Sequence, residues 1–276
     1  MTHRLAVLAL CLAALLWSTG GFFIKSLPLS PLAIAGWRSA IAAVVMVVWL
    51  QRPKPIWTGA QISTIVCYTL TVVLFVAATK LTTAANAILL QYTAPFWVVI
   101  GNVVLTRQRP DSTDILTVLL VGAGMTVFFV DRAGGGSAIG NVIAVLSGIA
   151  FAGVAMSMKG QRGVSTTESI LLGNTITALI CLPWMLDVTF TFDVTWRLIA
   201  LGSLQLGVSY ILYARAISSV TALEAVLLTT LEPLLNPLWV AVLFGELPSS
   251  TSVIGGLLVV GAVIYRSFVH GKAIRQ

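Results

Sequence analysis

Charge is what this sequence has least of. Asp, Glu, Lys and Arg make up 9% of its 276 residues, against about 25% in an ordinary soluble domain. With 58% hydrophobic residues and a mean hydropathy of +1.00, there is too little polar surface to cover a water-facing globule. Lipid must be the main solvent. Histidine is confined to His3 and His270, both near the ends. An intramembrane enzyme needs paired acids, a metal cluster or a nucleophile–base pair at one depth, and the sequence offers none. The cysteines Cys11, Cys67 and Cys181 lie inside apolar runs without motif spacing. They give neither a disulfide framework nor a metal site and are expected to pack as small apolar residues. No G-x-x-x-x-G-K-S/T stretch is present, so ATP hydrolysis by this chain is not expected. No cofactor is expected either. The net charge of +7 comes from basic residues in short loops and at the ends. That is the pattern of cytoplasmic membrane-surface charge, and nucleic acid is not an expected partner.

What is abundant is long apolar runs. A spanning helix needs about 20 mostly apolar residues, and ten runs qualify. They lie near 5–25, 31–50, 58–79, 83–105, 113–130, 138–158, 168–186, 196–217, 220–244 and 251–269. The first follows Arg4 but outlasts a signal core and meets no small-x-small cleavage site, so it is expected to be a retained span. The runs are too long, and alternate too little, for barrel strands. The expected fold class is all-α: a polytopic membrane protein of ten transmembrane helices.

The chain also repeats itself at an offset of 138. Asn86-Ala-Ile-Leu-Leu-Gln-Tyr-Thr-Ala-Pro95 falls on Glu224-Ala-Val-Leu-Leu-Thr-Thr-Leu-Glu-Pro233, and Leu5-Ala-Val-Leu8 falls on Ile143-Ala-Val-Leu146. This predicts two five-helix repeats, 1–137 and 138–276, forming one transmembrane transporter domain. Lys and Arg set the orientation. One side carries Arg4, Arg52, Lys54, Arg107, Arg109, Lys159, Arg162, Arg266, Lys272 and Arg275; the other carries Lys25, Lys80, Arg132 and Arg197. Both termini are therefore expected in the cytoplasm. Five spans per repeat then make the repeats inverted, with their shared site near the bilayer midplane.

Several residues stand out as carriers of function. Pro95 and Pro233 occupy equivalent places in spans 4 and 9 and are expected to act as hinges. A proline inside a helix deprives the carbonyl one turn earlier of its donor, here near Gln91 and Thr229. Glu232, about midway along span 9, is an intramembrane acid and so a functional candidate. Its counterpart is Ala94. Tyr68, Val72 and Phe75 share a face of span 3 and map onto Leu206, Tyr210 and Tyr213 of span 8. Gln91 and Tyr92 map onto Thr229 and Thr230, and Trp17-Ser18-Thr19 onto Ala155-Met156-Ser157. The expected substrate-binding set is Trp17, Tyr68, Phe75, Gln91, Tyr92, Met156, Tyr210, Tyr213, Thr230 and Glu232. No metal ligand is expected among them. Such a wall suits a small amphipathic solute. Arg38, about 10 Å inside span 2 at about 1.5 Å per residue, is expected to snorkel to the outer interface or pair with a carbonyl. Glu224 and Arg215 are expected to form a salt bridge across the turn between spans 8 and 9, with a cytoplasmic gate as the alternative. Gly122, Gly124, Gly255, Gly256 and Gly261 are expected to serve close helix packing.

Leu16-Trp17-Ser18-Thr19, Trp37-Arg38, Glu232-Pro233 and Gly245-Glu246 together resemble motifs of the drug/metabolite transporter superfamily, in its EamA-like branch. Within it the chain is similar to bacterial amino-acid exporters of the YddG type. The resemblance covers nearly the whole chain. It implies inner-membrane export through a central cavity lined by helices 1, 3, 4, 6, 8 and 9, with spans 5 and 10 packed outside. Gln108 stands where members often keep a second glutamate, so a symmetric role for it and Glu246 is not implied.

The expected function is secondary export of neutral and aromatic amino acids, with broad selectivity, by alternating access. Cationic drugs or other metabolites are the alternative cargo. A channel would show rings of like groups, which this sequence does not. The expected partners are the amino-acid solute and the lipid bilayer, around a monomer.

Overall fold

The computed structural model describes residues 1–53, 56–107, 109–129, 137–161, 163, 165–235 and 250–273. Lys54, Gln108, Arg132, Arg162, Glu246, Arg275 and the second half of span 9 lie outside the described residues. All regular structure among the described residues is helical. In chain order the helices are α1 (His3–Trp17), α2 (Gly20–Ser26), α3 (Pro31–Leu50), α4 (Gly59–Leu81), α5 (Ala84–Gln91), α6 (Ala94–Thr106) and α7 (Ser112–Phe129). Then come α8 (Ala138–Gly160), α9 (Thr166–Met185), α10 (Phe192–Ala200), a π-helical segment (Leu201–Val208), α11 (Ser209–Ala216), a 3₁₀ turn (Ile217–Ser219), α12 (Ala222–Thr229) and α13 (Ser250–Ala273).

The elements start where hydroxyl caps allow. Thr2, Ser30, Thr58, Thr83, Ser137, Thr191 and Thr221 each accept a backbone N–H of the first turn through the side chain. Each cap satisfies one donor that a helix start would leave orphaned.

Seven helical stretches among the described residues are long and apolar enough to cross a membrane: His3–Ser26, Pro31–Leu50, Gly59–Leu81, Asn86–Leu105, Ala138–Gly160, Thr166–Met185 and Phe192–Ser219. Two further apolar stretches are shorter, Ser112–Val127 and Val253–Arg266. The seven and the two stand at nine of the ten expected runs. The tenth begins as α12 and a helical turn at 231–235, then leaves the described residues.

Packing follows membrane rules rather than aqueous ones. On α1 the large side chains Leu5, Leu8, Leu12 and Leu15 face outward, whereas Ala6, Ala9, Ala13 and Ala14 are buried. Hydrocarbon solvates Leu as well outside as inside, so helix contacts go to small residues that let backbones approach. The pairings are orderly. α3 lies against α9, α4 against α8, α1 against α11, and α7 against α13. Gly124 on α7 shows the tolerance: a Cβ there would sit 2.8 Å from Val259 Cγ2 and 3.0 Å from the Gly255 carbonyl oxygen on α13. The element bounds also recur at the repeat offset, since α5 (84–91) and α12 (222–229) differ by 138 at both ends.

Candidate substrate cavity

Four of the spans are irregular at a common place. Span 1 breaks after Trp17, where the Ser18 and Thr19 hydroxyls donate to the carbonyls of Leu15 and Leu16. Span 4 breaks at Tyr92–Thr93, between α5 and α6. Span 9 breaks at Thr230, whose hydroxyl turns back to the Leu227 carbonyl. Span 8 runs as a π-helix through Leu201–Val208. The prolines follow the breaks rather than kinking intact helices. Pro95 lies in the first turn of α6, where its missing N–H leaves no bond unmade. Pro233 lies within the helical turn at 231–235. Both prolines are buried.

These irregular stretches surround one internal cavity of about 30 Å³. It is lined by Trp17 (α1), Arg38 (α3), Thr71, Val72 and Phe75 (α4), Gln91 and Tyr92 (span 4), Phe151 (α8), Gln205 and Tyr210 (span 8) and Glu232 (span 9). That volume is water-sized, so any amino acid must widen it.

The cavity brings together Trp17, Phe75, Gln91, Tyr92, Tyr210 and Glu232 of the expected set. Tyr68 and Tyr213 form the layer behind. Tyr68 donates its hydroxyl to Asn174 Oδ1 at 3.0 Å and meets Tyr210 edge-on at 4.8 Å between ring centres. Tyr213 lies against Trp17 at 5.5 Å. Thr230 spends its hydroxyl on its own helix end. Met156 lies elsewhere, in a wider groove of about 820 Å³ between α4, α6 and α8, against Gly101. Gln91 turns its amide to Ser147 Oγ at 2.9 Å.

Glu232 and Tyr92 meet across the cavity. Tyr92 Oη lies 2.6 Å from Glu232 Oε2 and 2.7 Å from the Thr229 carbonyl oxygen. Thr229 is the last residue of α12, and the closing carbonyls of a helix have no donor within it. One hydroxyl carries one proton. Tyr92 shares it between two acceptors, the Glu232 carboxyl and the Thr229 carbonyl.

Arg38 does not snorkel. It is 2% exposed, and the carbonyl it pairs with is that of a side-chain amide. Nη2 donates to Gln205 Oε1 at 2.9 Å, and Nε and Nη1 have no partner. Trp17 Nε1 is likewise buried and unpartnered. A buried donor left unmade costs about 1–3 kcal/mol, more when charged. An arginine inside a span was itself a signal of function, and span 2 joins the six helices that the resemblance implied. Gln205 has no sequence signal, because its aim depends on the π-segment. π-Turns concentrate at functional sites. Gly20 leaves it room: a Cβ there would lie 2.6 Å from Gln205 Nε2. Thr71 and Phe151 were also missed, as apolar-helix residues that tertiary packing alone selects.

A second correction concerns Glu224. Its partner is His3 Nε2, at 2.8 Å, rather than Arg215, which sits over the Trp49 ring at 5.7 Å. α12 points Glu224 toward the start of α1, and α11 points Arg215 toward the end of α3.

Polar and aromatic groups thus meet in a small cavity at a set of helix breaks, and the chain's relatives are transporters. The model of the EamA-like transporter family matches residues 4–130 and again 138–268. The chain belongs to the EamA-like transporter family. This EamA-like chain is 28% identical to "Uncharacterized transporter YwfM" of Bacillus subtilis, over 95% of each chain. It is 25% identical to an "Uncharacterized transporter" of Archaeoglobus fulgidus, over 93% of this chain and 94% of that one. A crystal structure at 20% identity shares the EamA-like chain's fold with a TM-score of 0.76, covering 97% of this chain and 98% of the other. The protein is thus a multi-pass membrane transporter.

Proposed function

We propose that this transporter exports amino acids across the bacterial inner membrane by alternating access. Ten helices form two inverted five-helix repeats, 1–137 and 138–276, with both termini cytoplasmic and the monomer as the working unit. The repeats rock about the breaks at Pro95 and Pro233 and open one cavity to each side in turn. The observation that carries this reading is the cavity itself: an acid at a helix break, inside a wall of Trp17, Phe75, Tyr92, Phe151 and Tyr210. The rings suit aliphatic and aromatic side chains, and Glu232 suits an ammonium group. Tyr68 and Tyr213 back the rings, and Thr230 shapes the break. Met156 borders the cytoplasmic approach. An acid at mid-span beside a helix break supports a proton role for Glu232.

The test is counterflow in proteoliposomes. Vesicles loaded with unlabelled phenylalanine, methionine, alanine or threonine are expected to accumulate the labelled amino acid faster than unloaded ones. Equal uptake by loaded and unloaded vesicles would indicate a channel. Uptake of none of the panel, with cationic dyes exchanged instead, would make the cargo a cationic drug.

A further inference from the structure

We infer that Arg38, with the indole N–H of Trp17, is the anchor for the solute's carboxylate. The inference rests on the transporter reading above and assigns the end of the cargo that Glu232 does not serve.

The argument is a donor count. Among the cavity-lining residues, the buried side-chain atoms without a partner are Arg38 Nε, Arg38 Nη1 and Trp17 Nε1. All three are N–H donors. Gln205 Oε1 already takes Arg38 Nη2, and Glu232 Oε2 lies with Tyr92. A guest that completes the site must bring acceptors to these three donors. A carboxylate brings two oxygens and matches the guanidinium fork.

Charge points the same way. Arg38 forms none of the ion pairs found among the described residues, which are His3–Glu224, Arg197–Asp193 and Arg266–Asp114. Glu232 shares the cavity but does not reach ion-pair distance, and a buried guanidinium with no carboxylate that close is strongly disfavoured. One carboxylate neutralises it, whereas a phosphate dianion would leave excess negative charge beside Glu232. The position is built rather than incidental. Gln205 holds one edge of the guanidinium, and the π-segment and Gly20 place Gln205. A bare cation meets a repelling Arg38, which turns the site against cationic drugs and toward zwitterions.

Two measurements test this on the full chain. In proteoliposomes, each amino acid is set against its own amide as a competitor of labelled uptake. In detergent, thermal protection by phenylacetate is set against phenylacetamide and phenylphosphonate. The wild type is expected to prefer acid over amide about tenfold or more. Arg38→Met is expected to erase that preference, and Arg38→Lys to weaken it by losing the fork. Should Arg38→Met not fold, Trp17→Phe removes one donor and is expected to lower the same ratio. An unchanged acid-to-amide ratio in folded Arg38→Met overturns the anchor. So does equal protection, or none, by phenylacetate and phenylacetamide, or stronger protection by phenylphosphonate. Phenylacetate protection without any amino-acid exchange would leave the anchor standing and remove the transport proposal. Equal exchange of acids and amides would do the reverse.

Discussion

Helix α5 and helix α12 share their length, their register at the 138 offset and their threonine caps, Thr83 and Thr221. Both end in a break before a buried proline. What they carry into the cavity differs. The first brings Tyr92, a donor, and is followed by Ala94; the second brings the Thr229 carbonyl and is followed by Glu232. The same divergence recurs elsewhere. Span 1 is broken at Trp17–Ser18–Thr19, while α8 runs unbroken through Met156–Ser157. α4 is a regular helix where its counterpart carries the π-segment. Between α5 and α12 the backbone placement matches and the polar chemistry does not, whereas these other pairs differ in the backbone as well. At the cavity, donors Tyr92 and Arg38 come from the first half and their acceptors Glu232, Thr229 and Gln205 from the second. Each polar contact therefore needs both halves in place.

The strongest way to break this comparison is to move the acid. Glu232→Ala is expected to lower exchange flux by about 10- to 100-fold, the worth of a charged hydrogen bond. Adding Ala94→Glu is expected not to restore it, because Tyr92 lies against the span-9 break. Recovered flux would mean that the halves are chemically interchangeable. Glu232→Gln sharpens the point. Its amide oxygen still accepts from Tyr92 but the group does not titrate, so the fold and some flux are expected to remain while the pH dependence of flux disappears. A folded Gln variant with the wild-type pH profile would remove the proton role.

Next in size is a matched pair on the two breaks. Tyr92→Phe leaves Glu232 and Thr229 without their shared partner and is expected to destabilise by about 1–3 kcal/mol. The equivalent Thr230→Val removes only a bond within its own helix end, for about 1 kcal/mol or less. Melting temperatures in detergent read the difference, and equal losses would contradict the asymmetry. The smallest effect belongs to the rim. Asp193 is half exposed and pairs with Arg197 four residues on, so Asp193→Asn is expected to cost under about 1 kcal/mol, with unchanged flux.

Much of the scaffold was legible in the sequence because it rests on local signals. Apolar length marks spans, hydroxyl residues mark their starts, and the paired Pro95 and Pro233 mark the breaks. The aromatic residues and Glu232 were legible as rare types at mid-span. Arg38 was visible as well, but the choice between snorkelling and burial depends on what α9 and the π-segment place around it. Gln205 and Phe151 were hidden for the same reason. One extra residue in a helical turn changes the facing of a side chain without leaving a composition signal. The Glu224 partner was missed because His3 is 221 residues away.

The indole of Trp17 touches Tyr210 at 4.8 Å, Tyr213 at 5.5 Å and Phe151 at 5.9 Å between ring centres. Before any cargo arrives, these rings already satisfy one another. An incoming benzyl or thioether side chain must part them, so it swaps one set of dispersion contacts for another of similar worth. The net preference for any one side chain is then a small remainder. Under the proposed export of amino acids, loose grip and a wide menu are the expected result of that crowding, and both would favour quick release on the far side.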